Sequence, residues 1–275
     1  MADPSDTRTI AFLGATGKTG RAILRLLLAK EAPPFDLKIY VRSKSKLLDL
    51  FPEAASYSRV KIWEGSVTDM GMMRQCLSGA QAIICTLGEN ENRAGVRILQ
   101  DAARSIVDAL EVLKNSESGW RKPRLILLSS STYNTKFAAA RPPLVHWLIK
   151  TAFSHPYADL AAAQSLFLES SSLLSVLLVQ PPVLVEEEAS GYEISTESVK
   201  LAASYVDLGA AMFEMVMEKK YENLDAVGVS SRKGDSVGRY GPEMLSRICG
   251  GLLMGYVPGY WVIRQFFGRI FSGGI

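Results

Sequence analysis

Seven residues, Gly14-Ala-Thr-Gly-Lys-Thr-Gly20, constrain this chain more than any other stretch. They follow an apolar run, Thr9-Ile-Ala-Phe-Leu13, and open a segment, Arg21 to Lys30, whose apolar residues recur at helical spacing. A strand, a glycine-bearing turn and a helix start, in that order, aim backbone N–H groups and a positive helix end at one point. Such a point receives a phosphate. An ordinary tight βα turn uses the same residues, so the flanking pattern carries the dinucleotide reading more than the glycines do.

The rest of the first half repeats the alternation. Asp36–Arg42, Val60–Glu64, Gln81–Thr86 and Arg124–Leu128 read as further strands, with Pro33 and Pro34 closing off the first helix. Val96, Leu99, Ala103, Ile106, Leu110 and Leu113 fall at helical spacing between the last two. Strands alternating with helices imply an α/β fold, a Rossmann-type doubly wound parallel sheet. The second half is less regular. Leu144–Phe153 and Tyr157–Ser170 read as helices and Leu174–Val179 as a sixth strand broken by Pro181 and Pro182. Asp207 is placed to cap a helix running to Lys220, and Ala226–Val229 is a last short strand. The 275 residues suit a single NAD(P)-binding domain. About 9–180 form its dinucleotide-binding core, and about 181–275 supply a small C-terminal substrate-side extension.

Several classes of function are excluded. A net charge of +3 without basic blocks argues against nucleic acid. Cys76, Cys85 and Cys249 have neither metal nor disulfide spacing, so no metal is expected and a reducing compartment suffices. The polar start MADPSDTRT lacks a signal core, and the cytoplasm is the expected location. No nucleophile elbow or matched carboxylate pair points to a hydrolase.

The end of the second strand indicates which dinucleotide is bound. An acidic residue there would accept from an adenosine 2′-hydroxyl; this chain has Arg42, Ser43, Lys44 and Lys46, which favour a 2′-phosphate and hence NADP(H). A solvated basic turn is the alternative. Asp69 either caps the following helix or faces the adenine amine.

GATGKTG, VRSKSK, GSVTD, the serine-rich strand end Ser129–Thr132 and LVQPPVL together resemble the atypical short-chain dehydrogenases. Within them the chain is similar to the NmrA-like and biliverdin/flavin-reductase-like proteins. VRSKSKLLDLFP and VHW…YADL look more narrowly like fungal oxidoreductases of aflatoxin-type secondary-metabolite clusters. The resemblance spans about Thr9 to Lys219. It implies that Gly14, Thr16, Gly17, Lys18 and Thr19 hold the pyrophosphate, and that Arg42, Ser43 and Lys46 hold the 2′-phosphate. It also implies that Asp69 approaches the adenine and that Leu87 and Gly88 run beside the ribose. Ser129, Ser130 and the Pro182–Val183 backbone would then flank the nicotinamide.

One departure stands out. Family reductases commonly follow the catalytic tyrosine by a lysine four residues on. Tyr157 sits where the tyrosine belongs, but Leu160 stands three residues on and Ala161 four, neither a lysine, and Tyr133 and Lys136 are three apart. The candidate acid–base groups are therefore Tyr157, Ser130, His146 and Asp159, with His155 behind them. His146 shares a helix face with Lys150, and a histidine suits proton transfer near neutral pH. Each has a plainer reading. The histidines can be packed or surface groups, and Asp159 can serve the positive end of its own helix. From Val262 to Phe271 the apolar residues fall on one half of a helix. Such a helix can pack on the core, form a homodimer interface, cap a substrate pocket or lie on a membrane surface.

The expected activity is NADPH-dependent reduction of an apolar, oxygenated secondary metabolite such as a polyketide-like carbonyl or quinone. Two alternatives follow from the missing lysine. One is an NADP(H)-bound enzyme with a non-redox outcome, such as epoxide opening, dehydration or rearrangement. The other is a redox-sensing regulator.

Overall fold

In the computed structural model, which describes residues 8–29 and 35–261, side-chain parity along the strands sets up two cores. Strands β1 (Arg8–Leu13), β2 (Phe35–Val41), β3 (Val60–Glu64), β4 (Ala82–Cys85), β5 (Arg124–Leu128) and β6 (Ser175–Val179) are paired in parallel. Ile10, Phe12, Ile84, Ile126 and Leu177 point to one face, and Ala11, Leu13, Ile83, Leu125 and Leu127 to the other. The first face is covered by α1 (Lys18–Leu27), α2 (Lys44–Leu50) and α8 (Tyr205–Met217). The second is covered by α3 (Met70–Leu77), α4 (Ile98–Ser116) and α7 (Ser154–Glu169). Burial on both faces explains why these strands read as continuous apolar runs.

The strand order is β3-β2-β1-β4-β5-β6-β10-β8, where β8 is Tyr192–Ser195 and β10 is Ala226–Ser231. The sheet reverses direction of growth at β1, between β2 and β4, and a crevice opens there at the carboxyl ends of the strands. β8 pairs antiparallel with β10 and closes the far edge. A small parallel pair, β7 (Val183–Val185) with β9 (Ala202–Ser204), follows the Pro181-Pro182 break.

Elements after residue 180 do not stand apart as a substrate side. β8 and β10 complete the main sheet and α8 packs on α1, because the exposed side of β6 and the apolar face of α1 both need cover. The part that does border the substrate region is α6 (Pro143–Ala152) with α9 (Val237–Tyr256). The helix expected up to Lys220 ends at Met217, and its N-cap is Ser204, whose Oγ accepts the Asp207 N–H. The Asp207 carboxylate instead accepts the N–H groups of Ser190 and Gly191 and the Ser231 hydroxyl, holding the β7–β8 loop down. Pro33, Pro34 and the amphipathic run Val262–Phe271 lie outside the described residues. Among the described residues, no helix is long and apolar enough to cross a membrane and no cluster of side chains could hold a metal ion.

Candidate active site

The GATGKTG turn lies at the crevice, and its glycines serve different ends. Gly14 has φ +90°, and a Cβ on it would lie 2.6 Å from the Thr86 hydroxyl at the end of β4. A Cβ on Gly20 would lie 2.0 Å from the Gly14 carbonyl, so α1 could not approach its own strand. The first backbone bond of α1 runs from Arg21 N–H to the Gly17 carbonyl at 2.8 Å. The N–H groups of Lys18, Thr19 and Gly20 therefore have no helical carbonyl to meet, and neither a side-chain cap nor an acidic residue serves that end. This arrangement fits an anionic pyrophosphate. Lys18 Nζ is paired with the exposed carboxylate of Glu186 and lies 5.5 Å from the Tyr205 ring centre.

Two cavities flank the turn and share Gly17, Thr86, Leu87 and Gly88. The first, about 450 Å³, is lined by Thr16 and by Arg42, Ser43 and Lys46 at the end of β2. The second, about 270 Å³, runs from Lys18 and Thr19 past Ser129, Ser130 and Pro182 to Tyr157. Through those shared residues the two adjoin at the turn, the first carrying the basic cluster and the second Tyr157. Ser43 also caps α2, its Oγ accepting the Lys46 N–H at 3.1 Å.

Asp69 does not line the first cavity; Val67 does. Its Oδ1 accepts the Met72 N–H at 3.0 Å, so the capping reading holds for α3.

The tyrosine stands in a ring of hydroxyls. Tyr157 Oη is 3.2 Å from Ser130 Oγ and 3.2 Å from Thr132 Oγ1. Its ring packs edge-on against Tyr133, at 5.4 Å between centres, and Tyr133 donates its hydroxyl to the Tyr157 carbonyl at 3.0 Å. Ser130 sits at this point because β5 ends there and a 3-10 turn, Ser131–Tyr133, begins; Ser130 Oγ accepts the Thr132 N–H at 3.3 Å. Ser129 also lines the cleft, but its hydroxyl is spent on Gln164 of α7. Leu160 is 8% exposed and forms part of the cleft wall, and Ala161 stands four residues after Tyr157, so that turn of α7 offers no lysine.

A cation comes from elsewhere. Arg141, between α5 (Thr135–Ala138) and α6, lines the cleft and donates to Thr132 Oγ1 at 3.2 Å and to Ser131 Oγ at 3.3 Å. Burial pulls its pKa below the usual value, with Tyr157 pulling the other way. Sequence reasoning passed over both Arg141 and Thr132. The only local signal was an arginine before Pro142-Pro143, a position that usually reads as surface.

Two expected acid–base groups are corrected. Asp159 is 5% exposed and orients neither a histidine nor its own helix, whose first turn begins five residues earlier at Ser154. Its two oxygens accept the N–H groups of Leu99 (2.9 Å) and Gln100 (2.8 Å), so it caps α4, whose own N-cap, Arg97, makes no side-chain cap bond. His146 does not line the cleft. Its Nδ1 is buried without a hydrogen-bond partner, and burial, then Arg141 and Lys150, lowers its pKa. His155 does not line the cleft either; its backbone N–H donates to Asn92 Oδ1 at 3.0 Å.

Asn92 fixes the outer wall. It is fully buried in the loop after β4, and its Nδ2 donates to the Gly251 carbonyl of α9 at 3.1 Å. Its Oδ1 also accepts the Ser154 hydroxyl at 3.3 Å. Gly251 and Gly255 permit this contact: Cβ atoms there would lie 2.2 Å from the Ala152 carbonyl and 2.2 Å from Asn92 Nδ2. Met244 and Ile248 of α9 then pack against Ile149 and Phe153, and these apolar side chains line the cleft together with Arg247.

Residues 14–219 match the family model described as NAD(P)H-binding. The chain is 32% identical over 260 residues to Oxidoreductase aflX of Aspergillus parasiticus, covering 94% of this chain and 95% of that protein. It is 35% identical to Oxidoreductase stcQ of Emericella nidulans, covering 74% and 76%. To Averufin oxidase A of Aspergillus flavus it is 34% identical, covering 81% and 82%. A short-chain dehydrogenase/reductase from Veillonella parvula, solved in complex with NADP, superposes with a TM-score of 0.63 at 20% identity, over 83% of this chain and 97% of that one. At that identity the likeness concerns the fold.

Proposed function

The chain belongs to the NAD(P)H-binding family and has fungal oxidoreductases as relatives, and on that premise we propose that it reduces a carbonyl or quinone carbon of an apolar secondary metabolite with NADPH. When bound, the cofactor supplies the hydride. The Gly17–Gly20 backbone holds the pyrophosphate, and Arg42, Ser43 and Lys46 meet the 2′-phosphate. Support for NADPH over NADH is the basic cluster on the adenosine cavity, where no acidic side chain stands to accept from a free 2′-hydroxyl.

Ser130 Oγ hydrogen-bonds the substrate oxygen. Tyr157 Oη gives its proton to that oxygen as negative charge develops there. Ile149, Phe153, Leu160 and Ile248 keep water out and accept the apolar body of the substrate. The observation that carries this reading is the position of Tyr157 Oη, 3.2 Å from two hydroxyls in a cleft that adjoins the GATGKTG turn. An apolar-walled cleft also supports an enzyme over a regulator. Tyr133, its pKa raised by burial and by Tyr157, spends its hydroxyl on a backbone carbonyl and is the weaker donor.

The test is loss of 340 nm absorbance on mixing the protein with NADPH and a series of aromatic quinones and ketones. Tyr157→Phe should lower kcat about a hundredfold while NADPH affinity stays within about twofold. Product without NADPH loss would instead establish the non-redox reading, which the lack of a lysine four residues after Tyr157 favours. An unchanged kcat in Tyr157→Phe would remove the tyrosine from the reaction.

A further inference from the structure

We propose that Arg141 and Thr132 are positioning residues that hold the Tyr157 phenolate left by proton release, supplying from a different part of the chain the charge that a lysine four residues after Tyr157 would supply. The proposal rests on Tyr157 as the proton donor. Its basis is the polarity of a hydrogen-bond chain. A guanidinium only donates. Arg141 Nη1 therefore gives its hydrogen to Thr132 Oγ1, and Nη2 gives one to Ser131 Oγ. Having accepted there, the Thr132 hydroxyl has its own hydrogen free for Tyr157 Oη, 3.2 Å away. In the arrangement where Thr132 donates to Tyr157 Oη, the phenol proton points at Ser130 or at a substrate oxygen beside it. Once the phenol has lost its proton, only the Thr132 hydroxyl can donate across that 3.2 Å, and Arg141 can only donate to Thr132.

The same chain holds the product of the step. When the proton passes from Tyr157 Oη to the substrate oxygen, the phenolate keeps the Thr132 hydroxyl hydrogen and has the half-buried guanidinium behind it. Burial weakens solvent screening of that charge. Arginine, unlike lysine, does not give up its own proton, so Tyr157 regains one from water by way of the hydroxyls.

Other charged groups on the surrounding elements are committed or turned away. On α6, Lys150 lies 5.7 Å from the Tyr133 ring centre and His146 does not line the cleft. On α7, Asp159 is spent on the α4 amides and His155 does not line the cleft. On α9, Arg247 pairs with Glu243; on α1, Lys18 pairs with Glu186. Glu89, in the loop after β4, also lines the cleft, and its carboxylate accepts the Asn90 and Glu91 N–H groups.

The experiment is a pH titration of the cofactor-free full chain labelled with [13Cζ]tyrosine, with Tyr157→Phe assigning the signal. In Arg141→Ala the Tyr157 signal should change at a pH higher by about one unit, a tenfold change in proton affinity. Arg141→Lys should recover much of that shift. Thr132→Val should move the signal the same way, and Thr132→Ser should restore it. If Arg141→Ala does not fold, the Thr132 pair decides alone. An unmoved midpoint in every folded variant would overturn the proposal. No turnover is needed, so the reduction and the Arg141 role fail separately: an unmoved signal in a protein that consumes NADPH refutes only the latter.

Discussion

Replacing Asp159 by alanine separates the two readings of that residue. Each oxygen of the buried carboxylate accepts one amide at the start of α4, at 2.9 and 2.8 Å. Removal leaves two helix-end N–H groups unpartnered, at about 1–3 kcal/mol for each one that stays buried. It also deletes a negative charge at a positive helix end, about 0.5–1 kcal/mol. Two effects offset part of this. Gln100 is half-buried, so water can reach its N–H, and the carboxylate's own desolvation is relieved. A net loss of about 2–4 kcal/mol results, comparable to the loss of a strong cap with a second bond. At about 2–4 °C per kcal/mol for a chain of this length, the melting temperature should fall by roughly 5–15 °C. Differential scanning fluorimetry reads the fall, and kcat at 25 °C on the folded fraction should stay within about threefold. Asp159→Asn should lie between, since its amide turns one donor toward a donor. A melting temperature unchanged within about 1 °C, together with a kcat loss beyond tenfold, would falsify the capping account and return Asp159 to the chemistry.

Three further outcomes are expected. Arg42→Ala should weaken NADPH binding about tenfold by calorimetry, a charge-assisted bond discounted for its exposed site, and change NADH by less than about twofold; equal changes would sink the 2′-phosphate assignment. Gly251→Val drives a side chain into the Ala152 carbonyl, so it should destabilise by about 2–4 kcal/mol and raise substrate KM while leaving NADPH affinity unchanged; intact stability would mean that α6 and α9 separate freely. Burial pushes the Glu214 carboxyl up, but bonds from Lys220, Tyr192 and Tyr221 hold it at about 2. Because the folded value lies below the ordinary 4.5, its stabilisation is complete above that pH and is lost as pH falls toward about 2. Urea unfolding between pH 5 and 3 should therefore decline more steeply in the parent than in Glu214→Gln, and parallel curves would refute the linkage.

How far the sequence was legible depended on whether the signal was local. β1, β2, β4, β5 and β6 were readable because burial on both faces writes them as apolar runs. The GATGKTG turn was readable because steric need confines glycine to it. α2 was not, since Ser43 through Lys46 looked like a basic turn and in fact starts a helix that turn chemistry hides. α9 escaped notice because Pro242 and its glycines argue against a helix of 20 residues, while its stability comes from close approach to α6. The partners that decide roles in the site are remote in sequence. Asp159 meets amides 60 and 59 residues away, and Asn92 meets a carbonyl 159 residues away. No spacing rule could join them, so Asp159 looked like an acid–base group and Arg141 like surface.

β10 lies inside the sheet, between β6 and β8, although it is the last strand of the described chain to be synthesised. Until Ser231 has left the ribosome, Ser-Val-Leu-Leu-Val of β6 is an apolar edge with open hydrogen-bonding groups, the kind of edge on which chains stick to one another. The 14–219 stretch that defines the family match stops short of it. A fragment trimmed to that stretch would keep the whole GATGKTG turn and still present β6 bare. Expression of a minimal cofactor-binding piece should therefore run at least through Ser231, and through α9 if Asn92 is to stay covered.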